Sequence, residues 1–258
     1  MTHPAADDSP WLRRFHPASR DNPVRLLCLP HAGGAASFWH PFSHDLAATA
    51  DVLAVQYPGR QDRLREPPLP TVPALADALY PAVLALADRP LAFLGHSMGA
   101  VLAFEIARRL EREDGITPAA LFASGRRAPG THRTETVHLR DDAAFLAELR
   151  TLAGTDPRVL GSDELLRIVL PAIRADYRAI ETYRYVPGPP LSCPLHILTG
   201  TDDPRVSAPE ADAWRELTTG PFTLRRYPGG HFFLTEHQAA ITRTITTVLD
   251  GVATGRPA

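Results

Sequence analysis

Residues 90–104 read Pro90-Leu91-Ala92-Phe93-Leu94-Gly95-His96-Ser97-Met98-Gly99-Ala100-Val101-Leu102-Ala103-Phe104. Four apolar residues lead into Gly-x-Ser-x-Gly and an apolar-periodic segment follows, which predicts a buried strand, a tight turn and a helix. A serine on such a turn leaves little room for neighbouring Cβ atoms, and Gly95 and Gly99 have none. The helix would aim its first N–H groups at Ser97, where negative charge would develop. The stretch therefore predicts a nucleophile elbow, with an ordinary strand–turn–helix as the plainer interpretation.

Composition restricts the fold classes and the kinds of partner that are possible. A chain of 258 residues with 44% hydrophobic content can bury a large core, and we expect one domain over residues 1–258. The net charge of −2 gives no global reason to expect a nucleic acid or membrane partner. No run of 18 apolar residues occurs, so we expect a soluble, cytoplasmic monomer. Cys28 and Cys193 lie in or beside apolar strand candidates, which predicts buried, inert thiols.

Six apolar segments alternate with helical ones along the chain. This rhythm predicts an α/β fold whose mostly parallel sheet has helices on both faces, the α/β-hydrolase architecture. The strand candidates are 24–29, 51–57, 91–94, 119–124, 194–199 and 222–227. Residues 1–23 predict a loose start that is pinned to the body by Trp11, Leu12 and Phe15. The closing helix is expected to begin near Thr235, in a capping box with Gln238.

Residues 126–190 interrupt this rhythm. They contain no strand of the earlier type and carry apolar residues at helical spacing in 141–152 and 162–185, with Pro171 predicted to kink or split the second helix. A helical insertion of this length predicts a functional lid, with extra crossover helices as the alternative.

A serine hydroxyl needs a base to act as a nucleophile, and the base needs an orienting acid. His231 follows the last strand candidate and is preferred over histidines in the N-terminal segment, the elbow, the insertion, a strand or a helix, namely His3, His16, His96, His132, His138, His196 and His237. Asp202 and Asp203 follow the preceding strand candidate. Asp203 is preferred because Pro204 biases it towards an extended conformation, which leaves Asp202 as a turn residue.

Two backbone N–H groups are the candidate donors to an oxyanion. One belongs to Met98, directly after the nucleophile. The other is expected from the small residues that follow the first strand, Pro30-His31-Ala32-Gly33-Gly34, and Ala32 is preferred among them. Histidines and cysteines nowhere cluster at metal-ligand spacing, and no nucleotide-binding motif occurs, so we expect neither a metal nor a bound cofactor.

Four motifs occur together in one order: Pro30-His31-Ala32-Gly33-Gly34, Tyr57-Pro58-Gly59-Arg60, Gly95-His96-Ser97-Met98-Gly99-Ala100 and Gly229-Gly230-His231-Phe232-Phe233-Leu234. With them the chain resembles, over nearly its whole length, the type II thioesterases that accompany polyketide synthases and nonribosomal peptide synthetases. The resemblance implies an α/β-hydrolase with a helical lid. It also implies hydrolysis of stalled or wrongly primed acyl groups from the phosphopantetheine arm of carrier proteins, without a cofactor of the enzyme's own. By motif position it implies a triad of Ser97, Asp203 and His231, with Met98 and Ala32 at the oxyanion hole.

Two sets of residues in the insertion, one apolar and one of arginines, have two possible roles each. Its apolar residues could line an acyl chamber or simply pack against the body; they are Phe145, Leu149, Leu165, Val169, Ile173 and Tyr177. Four arginines near its start could dock an acidic carrier protein, although a solvated basic face is the preferred interpretation; they are Arg126, Arg127, Arg133 and Arg140.

Two other functions remain open at this point. The same triad would serve an esterase or an acyltransferase that acts on oxoesters, and nothing in the motifs separates these activities. A non-catalytic binding protein of the same fold is the second alternative, and the intact set of Ser97, Asp203 and His231 speaks against it.

Overall fold

The computed structural model describes residues 9–17, 22–152 and 162–254. Within them lies a seven-stranded sheet with the order β1-β3-β2-β4-β5-β6-β7. Its strands are β1 Leu12–Arg13, β2 Arg25–Leu29, β3 Asp51–Val55, β4 Leu91–His96, β5 Ala120–Ser124, β6 Leu195–Gly200 and β7 Phe222–Tyr227. All neighbouring strands run parallel except β1, which is antiparallel to β3. Strands β2 to β6 are buried throughout, because their apolar runs face helices on both sides.

Helices cover both faces of the sheet. In the described residues they are α1 His40–Leu46, α2 Val72–Leu84, α3 Met98–Arg109, α4 Asp142–Leu152, α5 Asp163–Thr182, α6 Ala208–Asp212, α7 Phe233–Glu236 and α8 Gln238–Ala253. Helices α2 and α3 bury their apolar sides in the core on one face, and α1 and α8 do so on the other. No helix among these is both long and apolar enough to cross a membrane. The prediction of a mostly parallel α/β sheet with helices on both faces and a helical insertion is confirmed.

The N-terminal segment forms a strand that the sequence did not predict. Leu12 pairs with Val55, and Arg13 pairs with Ala54, at the edge of the sheet. Trp11 and Leu12 are buried, as expected for residues that pin this segment to the body. Two residues are too short for a recognisable alternation, so only the exposed edge of β3 makes them a strand.

The structure narrows one local prediction about helices and overturns another. Helix α5 runs through Pro171 without being split; Arg167 and Ile168, one turn earlier, are exposed, so water can satisfy the carbonyl that loses its N–H partner. The side chain of Thr235 does not cap the closing helix, because its hydroxyl donates to the carbonyl of Phe232 at 2.8 Å. The closing helix α8 instead begins at Gln238, after the separate turn α7.

The parallel strands bring distant segments to one edge of the sheet. Ser97 follows β4, Asp203 follows β6 and His231 follows β7, while the segment 30–34 follows β2. The carboxyl ends of parallel strands share an edge, which is where open α/β sheets place their sites. Cys28 lies within β2 and Cys193 lies just before β6; both are buried free thiols, and burial raises the pKa of both.

Candidate active site

Ser97 lies in a strained turn between β4 and α3. Its φ of 54° and ψ of −113° are rare for a residue with a side chain. A Cβ on Gly95 would overlap the backbone of Gly99, and one on Gly99 would overlap the carbonyl of Leu29. The two glycines of the motif are therefore required by close backbone approach, as the sequence predicts. Ser97 is only 9% exposed, at the N-terminus of a helix.

His231 and Asp203 form a buried hydrogen-bonded pair. Nδ1 of His231 lies 3.0 Å from Oδ1 and 2.9 Å from Oδ2 of Asp203. Both side chains are nearly inaccessible to solvent. Asp203 also accepts the N–H of Arg205 at 2.8 Å, which helps to hold the carboxylate in place. Asp202 is exposed and contacts the hydroxyl of Thr201 instead.

Ser97 and His231 line one pocket with Ala32 and Phe232. Within the described residues, the Ser97 hydroxyl makes no hydrogen bond to the His231 ring. Serine–histidine contacts are often long in unliganded hydrolases and tighten only when substrate is bound. The pocket has a volume of about 50 Å³.

His96, the second residue of the elbow motif, is a buried neutral neighbour of His231. The two rings lie 5.1 Å apart. Burial, assisted by the nearby imidazoles of His231 and His31, lowers the pKa of His96 well below its ordinary value. Nδ1 of His96 lies 3.1 Å from the hydroxyl of Ser124. A neutral ring at this position places no positive charge beside His231.

The loop after β2 leaves one N–H available beside the pocket. The N–H of Gly33 donates to Oδ2 of Asp176 at 2.8 Å, and that of Gly34 donates to the carbonyl of His31 at 2.9 Å. The N–H of Ala32 has no acceptor in the described parts of the chain, and Ala32 lines the pocket. Met98 supplies the first N–H of α3, which likewise has no acceptor there.

The loop is held by residues of the Tyr57-Pro58-Gly59-Arg60 motif. The hydroxyl of Tyr57 donates to the carbonyl of Pro30 at 3.0 Å. Arg60 donates to the carbonyl of Gly34 at 2.9 Å and forms two hydrogen bonds with Asp176, at 2.6 and 2.9 Å. The sequence marks Arg60 only as part of a family motif, and it gives no signal that links Arg60 to Asp176, 116 residues later.

The six apolar candidates of the insertion separate into three groups. Leu149 and Tyr177 line the pocket. Phe145 and Ile173 are buried in a small cluster behind it, and Val169 packs against that cluster. Leu165 does neither, because its side chain is 43% exposed.

The helical repeat explains the error at Leu165. At about 100° per residue, each step of four residues rotates the side chain by about 40°, so Leu165 lies about 120° from Tyr177. Leu166 lies within about 20° of Tyr177 by the same geometry, and it is buried. Leu152 and Ile180 also line the pocket. They were not predicted to do so, although both follow the apolar spacing of their helices.

Most arginines near the start of the insertion are engaged in ion pairs. Arg127 pairs with Glu135, Arg133 with Glu210 and Arg140 with Glu148. Arg127 is 3% exposed, so the interpretation as a solvated basic face is wrong for it.

Arg126 differs from these arginines because it lines the pocket. Burial and the neighbouring Arg127 lower the pKa of its guanidinium to about 9, so it stays charged at neutral pH. Within the described residues its side chain makes no hydrogen bond. Glu135, the carboxylate that acts on it electrostatically, is already bonded to Arg127 and Arg205. No group of three or more metal-ligating side chains occurs among the residues described.

Comparison with known proteins agrees with this geometry. The model of the thioesterase domain family matches residues 24–249. The probable cadicidin biosynthesis thioesterase of Streptomyces griseus is 54% identical over 246 residues, which cover 95% of this chain and 68% of that protein. The thioesterase PikA5 of Streptomyces venezuelae is 50% identical over 93% of this chain and 85% of its own length.

Solved structures extend the likeness to three dimensions. The type II thioesterase BorB from the borrelidin biosynthetic cluster superposes with a TM-score of 0.87 and is 53% identical, covering 96% of this chain and 100% of its own. The type II thioesterase YbtT from the yersiniabactin pathway gives a TM-score of 0.83 at 33% identity, covering 94% of this chain and 99% of its own. The chain belongs to the thioesterase domain family and is a hydrolase of thioesters.

Proposed function

We propose that the enzyme hydrolyses acyl groups from the phosphopantetheine arm of carrier proteins, through an acyl-enzyme on Ser97. The observation that carries this proposal is the buried Asp203–His231 pair beside a serine on a strained elbow. That combination supplies a nucleophile, a base and an orienting acid at one pocket.

The first half-reaction forms the acyl-enzyme. His231 takes the proton of the Ser97 hydroxyl as the oxygen attacks the thioester carbonyl, and Asp203 stabilises the resulting imidazolium through Nδ1. The N–H groups of Ala32 and Met98 bind the oxyanion. The C–S bond then breaks, and the pantetheine sulfur leaves as a thiolate that takes the proton from His231.

The second half-reaction releases the acid. A water molecule gives a proton to His231 and attacks the acyl carbonyl, and the same two N–H groups hold the new oxyanion. The C–O bond to Ser97 breaks, and the proton returns from His231 to the serine oxygen. His96 stays neutral during both steps, because the pKa of its buried ring lies well below the ordinary value.

The substrate class rests on the relatives and on the site together. BorB and YbtT are described as type II thioesterases of biosynthetic clusters for borrelidin and yersiniabactin, the latter an NRPS/PKS pathway. Systems of this kind carry their acyl chains as thioesters on carrier proteins, which we propose as the partners here. The pocket of this chain combines apolar residues with charged ones, Arg126, Glu135, Glu181 and Arg205, which suits acyl chains that carry polar groups.

We further propose that residues 1–258 form a single domain and that residues 126–190 act as its lid. Helices α4 and α5 supply Leu149, Leu152, Tyr177 and Ile180 to the wall of the pocket, which supports a role of this segment in substrate choice. A lid in this position would select acyl chains by shape and would limit the entry of water.

The test compares the same acyl groups on a carrier protein, on a small thiol and on a matched alcohol. We expect a strong preference for the carrier thioester, complete loss of turnover in Ser97→Ala, and no change in Ser192→Ala, which removes an exposed hydroxyl. A fluorophosphonate should label the wild type and not Ser97→Ala. A preference for the oxoester, or a folded wild type that is not labelled, would overturn the proposal.

A further inference from the structure

The loop that carries Ala32 is fixed at two points by two side chains outside it, which also bond to each other. Asp176 accepts the N–H of Gly33 at 2.8 Å, directly after the proposed oxyanion donor. Arg60 donates to the carbonyl of Gly34 at 2.9 Å, on the other side of Gly33. The same Arg60 donates to both carboxylate oxygens of Asp176, which closes the arrangement.

These contacts are buried, so solvent does not replace them. The side chain of Asp176 is 1% exposed and that of Arg60 is 7% exposed. In such surroundings a hydrogen bond between charged groups is strong and directional, and loss of one partner leaves the other charge uncompensated. The carboxylate of Asp176 therefore fixes the orientation of the Gly33 peptide, and with it the direction available to the preceding N–H of Ala32.

Asp176 comes from the helical insertion rather than from the sheet. It lies on α5. Two neighbouring residues of this helix, Ile173 and Ala172, lie against the loop 30–34 and the motif 57–60. A Cβ on Gly33 would lie 3.1 Å from Ile173, and a Cβ on Gly59 would lie 3.2 Å from Ala172. Both glycines have left-handed φ values, of 80° and 83°. One turn of α5 thus packs so closely against both loops that a side chain at Gly33 or Gly59 would not fit.

We propose that Arg60 and Asp176 are positioning residues, which set the N–H of Ala32 for oxyanion binding through Gly33 and Gly34. This inference rests on the proposed role of Ala32. It assigns a task to the Arg60 of the Tyr-Pro-Gly-Arg motif, and it makes helix α5 part of the machinery that stabilises the transition state. Neither residue touches the reacting atoms, so both act through the loop.

The test measures kcat and KM for an acyl thioester in Asp176→Asn and in Arg60→Lys. The first substitution puts a neutral amide in place of the carboxylate and keeps at most part of the acceptor set. The second keeps the positive charge but loses the paired donors of the guanidinium. We expect kcat to fall by about 10- to 100-fold, since loss of a whole oxyanion donor costs about 100- to 1000-fold. KM should stay within about twofold, because the ground-state carbonyl gains little from a charge-stabilising N–H.

A second readout separates positioning from general damage to the fold. The fluorophosphonate should still label one serine per chain, but more slowly, and the apparent pKa of the base in kcat/KM should be unchanged, because the Asp203–His231 pair is untouched. Asp142→Asn is the matched control: it removes an ion pair of the same insertion, with Arg174 of α5, that does not contact the loop. We expect wild-type kcat for this control.

The outcomes distinguish this inference from the proposed function. If the wild type turns over the thioester through Ser97 and both variants match its kcat, the positioning role is wrong while the proposed function stands. If the fraction of chains with a labelled serine fell in proportion to kcat, Arg60 and Asp176 would have only a structural role. If Asp176→Asn does not fold, Arg60→Lys alone decides, since it retains a cation beside the buried carboxylate.

Discussion

Nδ1 of His231 lies 2.9 Å from one carboxylate oxygen of Asp203 and 3.0 Å from the other. An acid in this position fixes the tautomer of the imidazole, so that Nε2 is left to accept the proton of Ser97. Its neighbour Asp202 is exposed and turned towards Thr201. Two adjacent aspartates thus offer a matched pair of substitutions.

We expect Asp203→Asn to lower kcat by about three to four orders of magnitude, because the amide would hold the wrong tautomer of His231. Asp202→Asn should keep kcat within about twofold, because its exposed carboxylate bonds Thr201 and not His231. Steady-state hydrolysis of an acyl thioester measures both. The reverse ranking would assign the acid to Asp202.

Gly99→Ala should destabilise the fold by about 3 kcal/mol or more, because the new Cβ would overlap the carbonyl of Leu29. Gly230→Ala is the control: it lies beside His231, the proposed base, but a Cβ there would meet no heavy atom within 4 Å. Urea unfolding monitored by circular dichroism compares the two variants. Equal free energies of unfolding would show that the elbow can relax.

Leu149→Ala should change the order of preference among acyl chains, with about a tenfold loss of kcat/KM for the chain that fills the pocket best. Leu165→Ala should leave the order unchanged, since that side chain is 43% exposed. A panel of acyl thioesters of increasing length makes the comparison. A larger effect at Leu165 than at Leu149 would place the acyl chain on the outer face of α5.

His196 provides a prediction about pH. Burial lowers the pKa of its ring to about 4, and Arg225 adds to the shift. The unfolded chain therefore binds a proton more readily than the folded chain between about pH 6.5 and pH 4. This difference makes stability fall as the pH falls through that window.

Between pH 7 and pH 5 the wild type should lose on the order of 2 kcal/mol more than His196→Gln, in which this group no longer titrates. The glutamine can retain a hydrogen bond to Thr223, which now lies 2.8 Å from Nδ1. Urea unfolding at the two pH values measures the difference. Parallel losses in both proteins would mean that His196 takes up a proton as readily in the folded chain as in the unfolded chain.

The sequence predicted most of the sheet because apolar runs between turn residues carry local information. The strand before Ser97 and the strand before His231 were found in this way. The need for glycine at positions 95 and 99 was predicted because the tight turn leaves no room for a Cβ atom. Asp203, His231 and the N–H of Ala32 were chosen by chain order and motif, and their catalytic roles remain predictions.

The features that were not predicted from the sequence depend on contacts between segments that are far apart in the chain. Strand β1 exists because the edge of β3 is there to pair with it. The bond between Arg60 and Asp176 joins two segments whose local patterns say nothing about each other. The error at Leu165 has another origin: a repeat of four residues drifts around a helix whose true repeat is 3.6.

The pocket beside Ser97 has a volume of about 50 Å³. A water molecule needs on the order of 10–15 Å³ by this measure. The space beside Ser97 therefore holds more than one water molecule, and a substrate that enters it has to displace them. Helices α4 and α5 wall the pocket, and α5 also holds the loop of Ala32. The same helix thus borders the space beside Ser97 and fixes the loop of the proposed oxyanion donor, so any displacement of α5 by an entering acyl group would also move the N–H of Ala32.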